Sequence, residues 1–166
     1  EQYIKDLENP AINCISIKIS TIYSQISSIA FEQTVEELVA AISVIYRAAK
    51  ANKYIEPRSG KESYKMVNFD MEEYCDLAIT VETFIRALSK KEFKDLTAGI
   101  ALQAYLPDSF FYLQKITNWA KEKVKNGGAP ARVRVVKGAN MDMELFEMRE
   151  RHWPLAPFSV KAETDA

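Results

Sequence analysis

One histidine, two cysteines and five glycines are all that 166 residues contain of those three types. Each scarcity removes a class of chemistry. His152 stands among Arg149, Glu150 and Arg151 with no nucleophile placed beside it, so Ser-His and Cys-His arrangements have no support and a surface role is expected. Cys14 and Cys75 lie far apart in the chain and outside any ligand-like cluster, which reads as two idle reduced thiols and fits a reducing compartment. Asp70, Glu72 and Glu73 are clustered without histidine or cysteine, so they read as helix-start carboxylates and no metal site is expected. The few glycines form neither a Gly-x-Gly-x-x-Gly nor a Walker-type loop, which argues against a Rossmann-style cofactor site in this span. No apolar run approaches the roughly 18–20 residues that cross a bilayer. The formal net charge is −1 with both signs interspersed, which gives no electrostatic footprint for nucleic acid.

What is there is a 48% hydrophobic chain with four short apolar runs that end in polar residues. They cover residues 12–19 with Lys18, 66–69 leading to Asp70, 100–104 with Gln103, and 133–136 with Arg134 and Lys137. Asp70 and Gln103 are 33 positions apart, Gln103 and Arg134 31. That interval holds one strand and one helix. In a barrel of such units the C-terminal strand ends share one mouth, where chemistry is done. Lys18, Asp70, Gln103 and Arg134 are therefore expected to converge.

Between the runs, residues 1–10 read as a polar approach ending in the turn signal Asn9-Pro10, and 20–33 as a long loop with room for a helical turn. Thr34-Val35-Glu36-Glu37 fits a capping box ahead of a helix that ends near Asn52. Residues 52–64 read as a polar loop. Thr80 to Ser89 is helical in period. Pro107 and Asp108 open a helix whose inner face is expected to be Phe110, Leu113, Ile116, Ala120 and Val124, stopped by Asn126-Gly127-Gly128. A last helix is expected over 141–150. The order β-α-β-α-β-α-β-α implies a parallel sheet covered by helices.

The strand-end residues admit several roles. Lys18 could hold a substrate carboxylate, form a Schiff base, pair with Asp70, or extend to solvent. Asp70 by itself reads first as a helix cap, with Glu73 as reciprocal partner. The amide of Gln103 both donates and accepts, which suits the edge of a flat heterocycle. Arg134 and Lys137, followed by Gly138 and a helix N-terminus, would make an anion site such as one for phosphate.

Four motifs taken together resemble the proline dehydrogenase family: ISIKIS at 15–20, NFDMEE at 68–73, IALQAY at 100–105 and VRVVKGA at 133–139. The segment 161–165 is similar too. The resemblance implies an FAD-dependent (β/α)8 barrel that oxidises L-proline to Δ1-pyrroline-5-carboxylate by hydride transfer to flavin N5, with electrons passing to a quinone. It implies catalytic roles for Asp70 and Arg134, with Arg134 near flavin N5. Lys18 would bind the substrate carboxylate, Met71 would lie against the cofactor, and Gln103 would bond the flavin pyrimidine edge. Lys137, Gly138 and Ala139 would contact the ribityl-pyrophosphate region. Where the family often carries an aromatic residue after Lys-Gly-Ala, this chain has Asn140 and then Met141.

A whole barrel of this kind needs about 250 residues. Residues 1–166 are therefore expected to be a fragment of one barrel domain, about strands 2–5 with their helices, incomplete at both ends and inactive alone. The resemblance is closest to large bifunctional bacterial proteins. It implies a cytoplasmic parent with peripheral contact at the inner face of the membrane and room for an aldehyde dehydrogenase domain downstream. Two competing readings use the same residues: a Schiff-base aldolase barrel employing Lys18 or Lys137, and a non-catalytic interaction fragment in which the strand-end residues merely cap helices.

Overall fold

The computed structural model of the chain describes residues 1–138, 141–152, 157–158 and 161–165. The elements run α1 (Gln2–Glu8), β1 (Cys14–Ile17), α2 (Ile19–Ile22), α3 (Phe31–Ala51), β2 (Lys53–Ile55), β3 (Glu62–Tyr64), β4 (Met66–Phe69), α4 (Leu77–Ser89), β5 (Gly99–Gln103), α5 (Asp108–Lys125), β6 (Arg132–Val136), α6 (Met141–Arg151) and α7 (Lys161–Asp165). Short 3-10 turns, Tyr74–Asp76 and Lys91–Phe93, precede α4 and follow it.

The main sheet has the order β1-β4-β5-β6, and every pairing in it is parallel. The four strands of this sheet lie side by side in their chain order, with the β2–β3 segment inserted in the connection between β1 and β4. Right-handed crossovers in such an order place all connecting helices on one face, which curls the sheet into a barrel wall. The architecture is thus the expected α/β arrangement, a partial (β/α)8 barrel.

Alternation along each strand divides the two faces. Ile15, Ile17, Val67, Phe69, Ile100 and Leu102 point into the helix layer and are all buried. There they meet Val35, Leu38, Ile42 and Tyr46 of α3, Phe84 and Leu88 of α4, and Ile116 of α5. Edge-on ring contacts at 5.3–5.4 Å tie Tyr46 to Phe93 and Phe69 to Phe84. The opposite face carries Cys14 and Ser16 of β1, Asn68 of β4 and Arg132 and Arg134 of β6, a polar lining instead of a second core.

Several local expectations are corrected. Residues 2–8 form a helix whose Leu7 is fully buried, held by Lys65. That lysine is itself buried and donates from Nζ to the carbonyls of Leu7 and Asn9 at 2.7 and 2.6 Å. Helix α3 begins one turn before the anticipated capping box: Phe31 packs against the core, and the Thr34 hydroxyl instead donates to the Ser27 carbonyl at 3.2 Å. Residues 53–64 form an antiparallel hairpin, β2 with β3, which alternation could not reveal because it is solvated on both sides. On α5, Phe110 and Val124 are 67% and 48% exposed. The helix is turned toward α4 by Trp119, whose ring meets Phe84 edge-on at 5.8 Å. Gly127, at φ 76°, ends α5 as expected.

Candidate active site

The strand register fixes what can meet at the C-terminal mouth. Ser16, Asn68, Gly99 and Arg132 stand side by side in one row across the four strands. Two residues on, Asp70 follows Phe69, Ala101 pairs with Arg134, and Lys18 follows Ile17. Gln103 lies one step higher on β5, beside Val136.

Asp70 does not cap a helix. Residues 70–73 form no helix, α4 starts only at Leu77, and the Asp70 carboxylate meets side chains of β4 and β6. There Oδ1 accepts Arg134 Nη2 and, at 3.3 Å, the amide of Asn68. Nor does Lys18 pair with Asp70. Its Nζ lies 3.3 Å from Glu72 Oε1, while Ser20 donates to Oε2 of the same carboxylate. Gln103, 2% exposed, donates from Nε2 to the Glu72 carbonyl at 3.1 Å and to the Tyr105 hydroxyl at 2.9 Å. Because a carbonyl can only accept, this settles the orientation of the amide. Gln103 Oε1 is left buried without a hydrogen-bond donor among the described residues. A buried acceptor in that state is costly and marks a place for an N–H.

The other candidates are distributed less tightly. Met71 is half-buried against the hydrophobic core. Lys137 is paired with Asp165 of α7 at 2.7 Å. Among the described residues a Cβ placed on Gly138 would meet only Met141 Sδ, at 3.8 Å, which leaves room for close approach to the backbone. Ala139 and Asn140 lie outside the described residues.

Helix α6 lies beside this mouth. Its Glu144 is 6% exposed and accepts the Tyr74 backbone N–H at 3.0 Å. Burial pushes the Glu144 carboxyl above its ordinary value, against the pull of that hydrogen bond. Lys18, Glu72, Glu73, Met143, Glu144 and Glu147 line a cavity of about 160 Å³. Nearby, partial burial and the acidic neighbours Asp76 and Glu73 push the Cys75 thiol up to about 12, so it holds no thiolate at neutral pH. His152 is exposed. No group of three or more metal-ligating side chains occurs among the described residues. Lys18 and Lys137 each end on a carboxylate, unlike the desolvated or cation-crowded lysine that Schiff-base chemistry uses.

Asn68, Glu72 and Tyr105 escaped the sequence reading. Two of them were within reach of it: Asn68 and Tyr105 sit two residues from Asp70 and Gln103, and alternation puts such pairs on one face. Nothing in the sequence announces that Glu72 reaches back to β1.

Residues 2–166 match the family model described as proline dehydrogenase. The chain belongs to the proline dehydrogenase family. Its fold is shared by proline utilization A from Corynebacterium freiburgense at a TM-score of 0.88 and 37% identity over 99% of this chain. Proline utilization A from Bdellovibrio bacteriovorus, in a form inactivated by N-propargylglycine, matches at 0.77 and 32% over 90%. A third proline utilization A structure, with proline bound in remote sites, matches at 0.78 and 24% over 98%, a likeness of fold alone. The chain spans only 16%, 14% and 16% of those three proteins. No curated protein sequence matches the chain.

Proposed function

We propose that this chain forms the cofactor- and substrate-facing wall of an FAD-dependent proline dehydrogenase. Family membership supports the reaction class, and one observation carries the assignment of the site. Lys18, Asp70 and Gln103 at the C-terminal ends of β1, β4 and β5, and Arg134 on β6, gather at one mouth, where Glu72 joins Lys18 to Gln103 and Asp70 takes Arg134.

The donor set suits a flavin. Gln103 Oε1, without a donor among the described residues, can accept an N–H such as the pyrimidine edge of an isoalloxazine offers. Arg134, with a side chain 58% exposed, keeps guanidinium N–H groups available beyond the one on Asp70. The backbone at Gly138, with Lys137 and Ala139, would hold the ribityl-pyrophosphate portion, and Met71 would pack beside the ring. When bound, FAD supplies the hydride acceptor at N5 for oxidation of L-proline to Δ1-pyrroline-5-carboxylate. The chain's own groups do the rest. Lys18 presents an ammonium to the proline carboxylate. Arg134 offers positive charge where the reduced cofactor gains electron density. Asp70 fixes the Arg134 guanidinium through its ion pair.

Residues 1–166 are proposed to be part of one barrel domain, incomplete at both ends and inactive alone. The outer edges of β1 and β6 carry no strand partner among the described residues, and Val135 on β6 is 54% exposed. The family resemblance further supports a quinone as electron acceptor, and a cytoplasmic parent with peripheral contact at the inner membrane face and an aldehyde dehydrogenase domain downstream. No helix among the described residues is long and apolar enough to cross a membrane.

The test is anaerobic addition of L-proline to the purified full-length protein. The reading expects bound flavin to bleach and Arg134→Met to slow the bleaching at least about a hundredfold. A colourless protein, or an Arg134→Met variant that matches wild type, would overturn it.

A further inference from the structure

We propose that Glu72 is a positioning residue that holds the Lys18 ammonium ready for the substrate carboxylate. The proposal rests on the reading of Lys18 given above and adds a residue to it.

The geometry starts from two fixed stretches of main chain. At Glu72 the carbonyl oxygen accepts the buried Gln103 amide at 3.1 Å, so the backbone is pinned from β5. At Lys18 the carbonyl oxygen accepts the Thr21 hydroxyl at 2.7 Å and the Thr21 N–H at 3.2 Å, so that backbone is pinned by the turn of α2. Between them the Glu72 carboxylate is engaged at both oxygens, by Lys18 on Oε1 and by Ser20 on Oε2. Two contacts on one planar group fix its rotation as well as its place.

Lys18 needs such a hold. Its side chain is 50% exposed and carries its charge on a flexible four-carbon stem. Left alone, the ammonium samples solvent, and a substrate anion must bear the entropy of ordering it. One N–H spent on Glu72 leaves two for an incoming carboxylate. Stability is not the reason for the pair, since ion pairs this exposed contribute little to folding. A dipole role is also excluded: no α-helix begins at Glu72, and no helical turn occurs before Tyr74. Glu72 and Lys18 both line the cavity of about 160 Å³ beside the mouth, so the pair faces space instead of packed side chains.

The experiment uses full-length protein loaded with FAD, in Lys18→Ala, Glu72→Ala, Glu72→Gln and the Lys18→Ala/Glu72→Ala pair. Glu72→Ala is expected to raise the KM for L-proline about tenfold, with kcat within about twofold. The double variant should be no worse than Lys18→Ala alone, because one residue acts through the other. Glu72→Gln, whose amide oxygen still accepts from Lys18, should stay within about threefold of wild type. A binding readout stands apart from turnover: cyclopentanecarboxylate, which has the anion but no oxidisable amine, should bind Glu72→Ala about tenfold more weakly by perturbation of the flavin spectrum.

Additive losses in the double variant would overturn the proposal, as would an unchanged KM and cyclopentanecarboxylate affinity in Glu72→Ala. If Lys18→Ala itself leaves KM unchanged, the substrate-binding reading fails and the proposal goes with it. Should Glu72→Ala not retain FAD, Ser20→Ala decides in its place, with a smaller rise in KM expected and an unchanged KM counting against the proposal.

Discussion

Asp70 and Arg134 form an ion pair that spans the whole of strand β5, over the methyl group of Ala101. Two strand spacings, roughly 9.6 Å, separate the backbones that carry them. A long arginine can close that distance only if the intervening residue is small. Ala101, 1% exposed, leaves the path open.

A larger residue at 101 should therefore disable the pair without touching either member. Ala101→Val places two methyl groups between the carboxylate and the guanidinium. The expected result is at least about a tenfold slower reduction of bound flavin by proline, measured by stopped flow, with FAD still bound. An unchanged rate would show that the pair is not needed.

Gly99 is small for a second reason. A Cβ there would lie 2.5 Å from Asn68 Oδ1, and Asn68 is the amide that bonds Asp70. Gly99→Ala must displace that side chain. A loss of about 1–2 kcal/mol of stability is expected by chemical denaturation. Shortening the neighbour, in Gly99→Ala/Asn68→Ser, should recover part of it. If the two changes simply add, the clash is not the cause.

Gln103→Leu removes the buried acceptor and keeps the bulk. Titration of the apoprotein with FAD, followed by quenching of flavin fluorescence, should show affinity weakened about tenfold. Leucine also loses the bond to the Tyr105 hydroxyl, and Tyr105→Phe controls for that loss. It retains the acceptor and should weaken FAD binding by no more than about threefold.

The helix layer is cross-tied by charge. Glu82 of α4 takes Arg86 at 2.7 Å and Lys115 of α5 at 2.6 Å. Burial would raise the Glu82 carboxyl, but the hydrogen bonds from Lys115 and Arg86 prevail and hold it below its ordinary value of 4.5. A depressed carboxyl binds fewer protons folded than unfolded. Its stabilisation is therefore full above about pH 4.5 and drains away as pH falls through the folded-state value. Glu82→Gln should loosen α4 and α5 by under about 1 kcal/mol at neutral pH, given partial exposure of both cations. The difference from wild type should close on acidification, as followed by amide hydrogen exchange in the two helices. A difference independent of pH would refute the linkage.

Much of the site was readable in the chain because strands have a two-residue period and βα units a nearly fixed length. The interval marked Asp70, Gln103 and Arg134 as tips of successive strands, and alternation marked Lys18. What they could not show is who touches whom. Asp70 read as a cap because Asp-Met-Glu-Glu has the composition of a helix start, yet no helix begins there and Arg134 takes the carboxylate. Lys18 was offered Asp70, its nearest acid by register, and found Glu72 two residues on.

By itself the sequence determined the parallel βα order, the apolar helix-facing rows and the polar strand tips, since all three follow from local period and burial preference. Only tertiary structure decided the Asp70–Arg134 pair, the reach of Glu72 to Lys18 and the stranded oxygen of Gln103. Each joins residues more than 30 positions apart or depends on such a contact, and lateral strand register has no signature in any one strand.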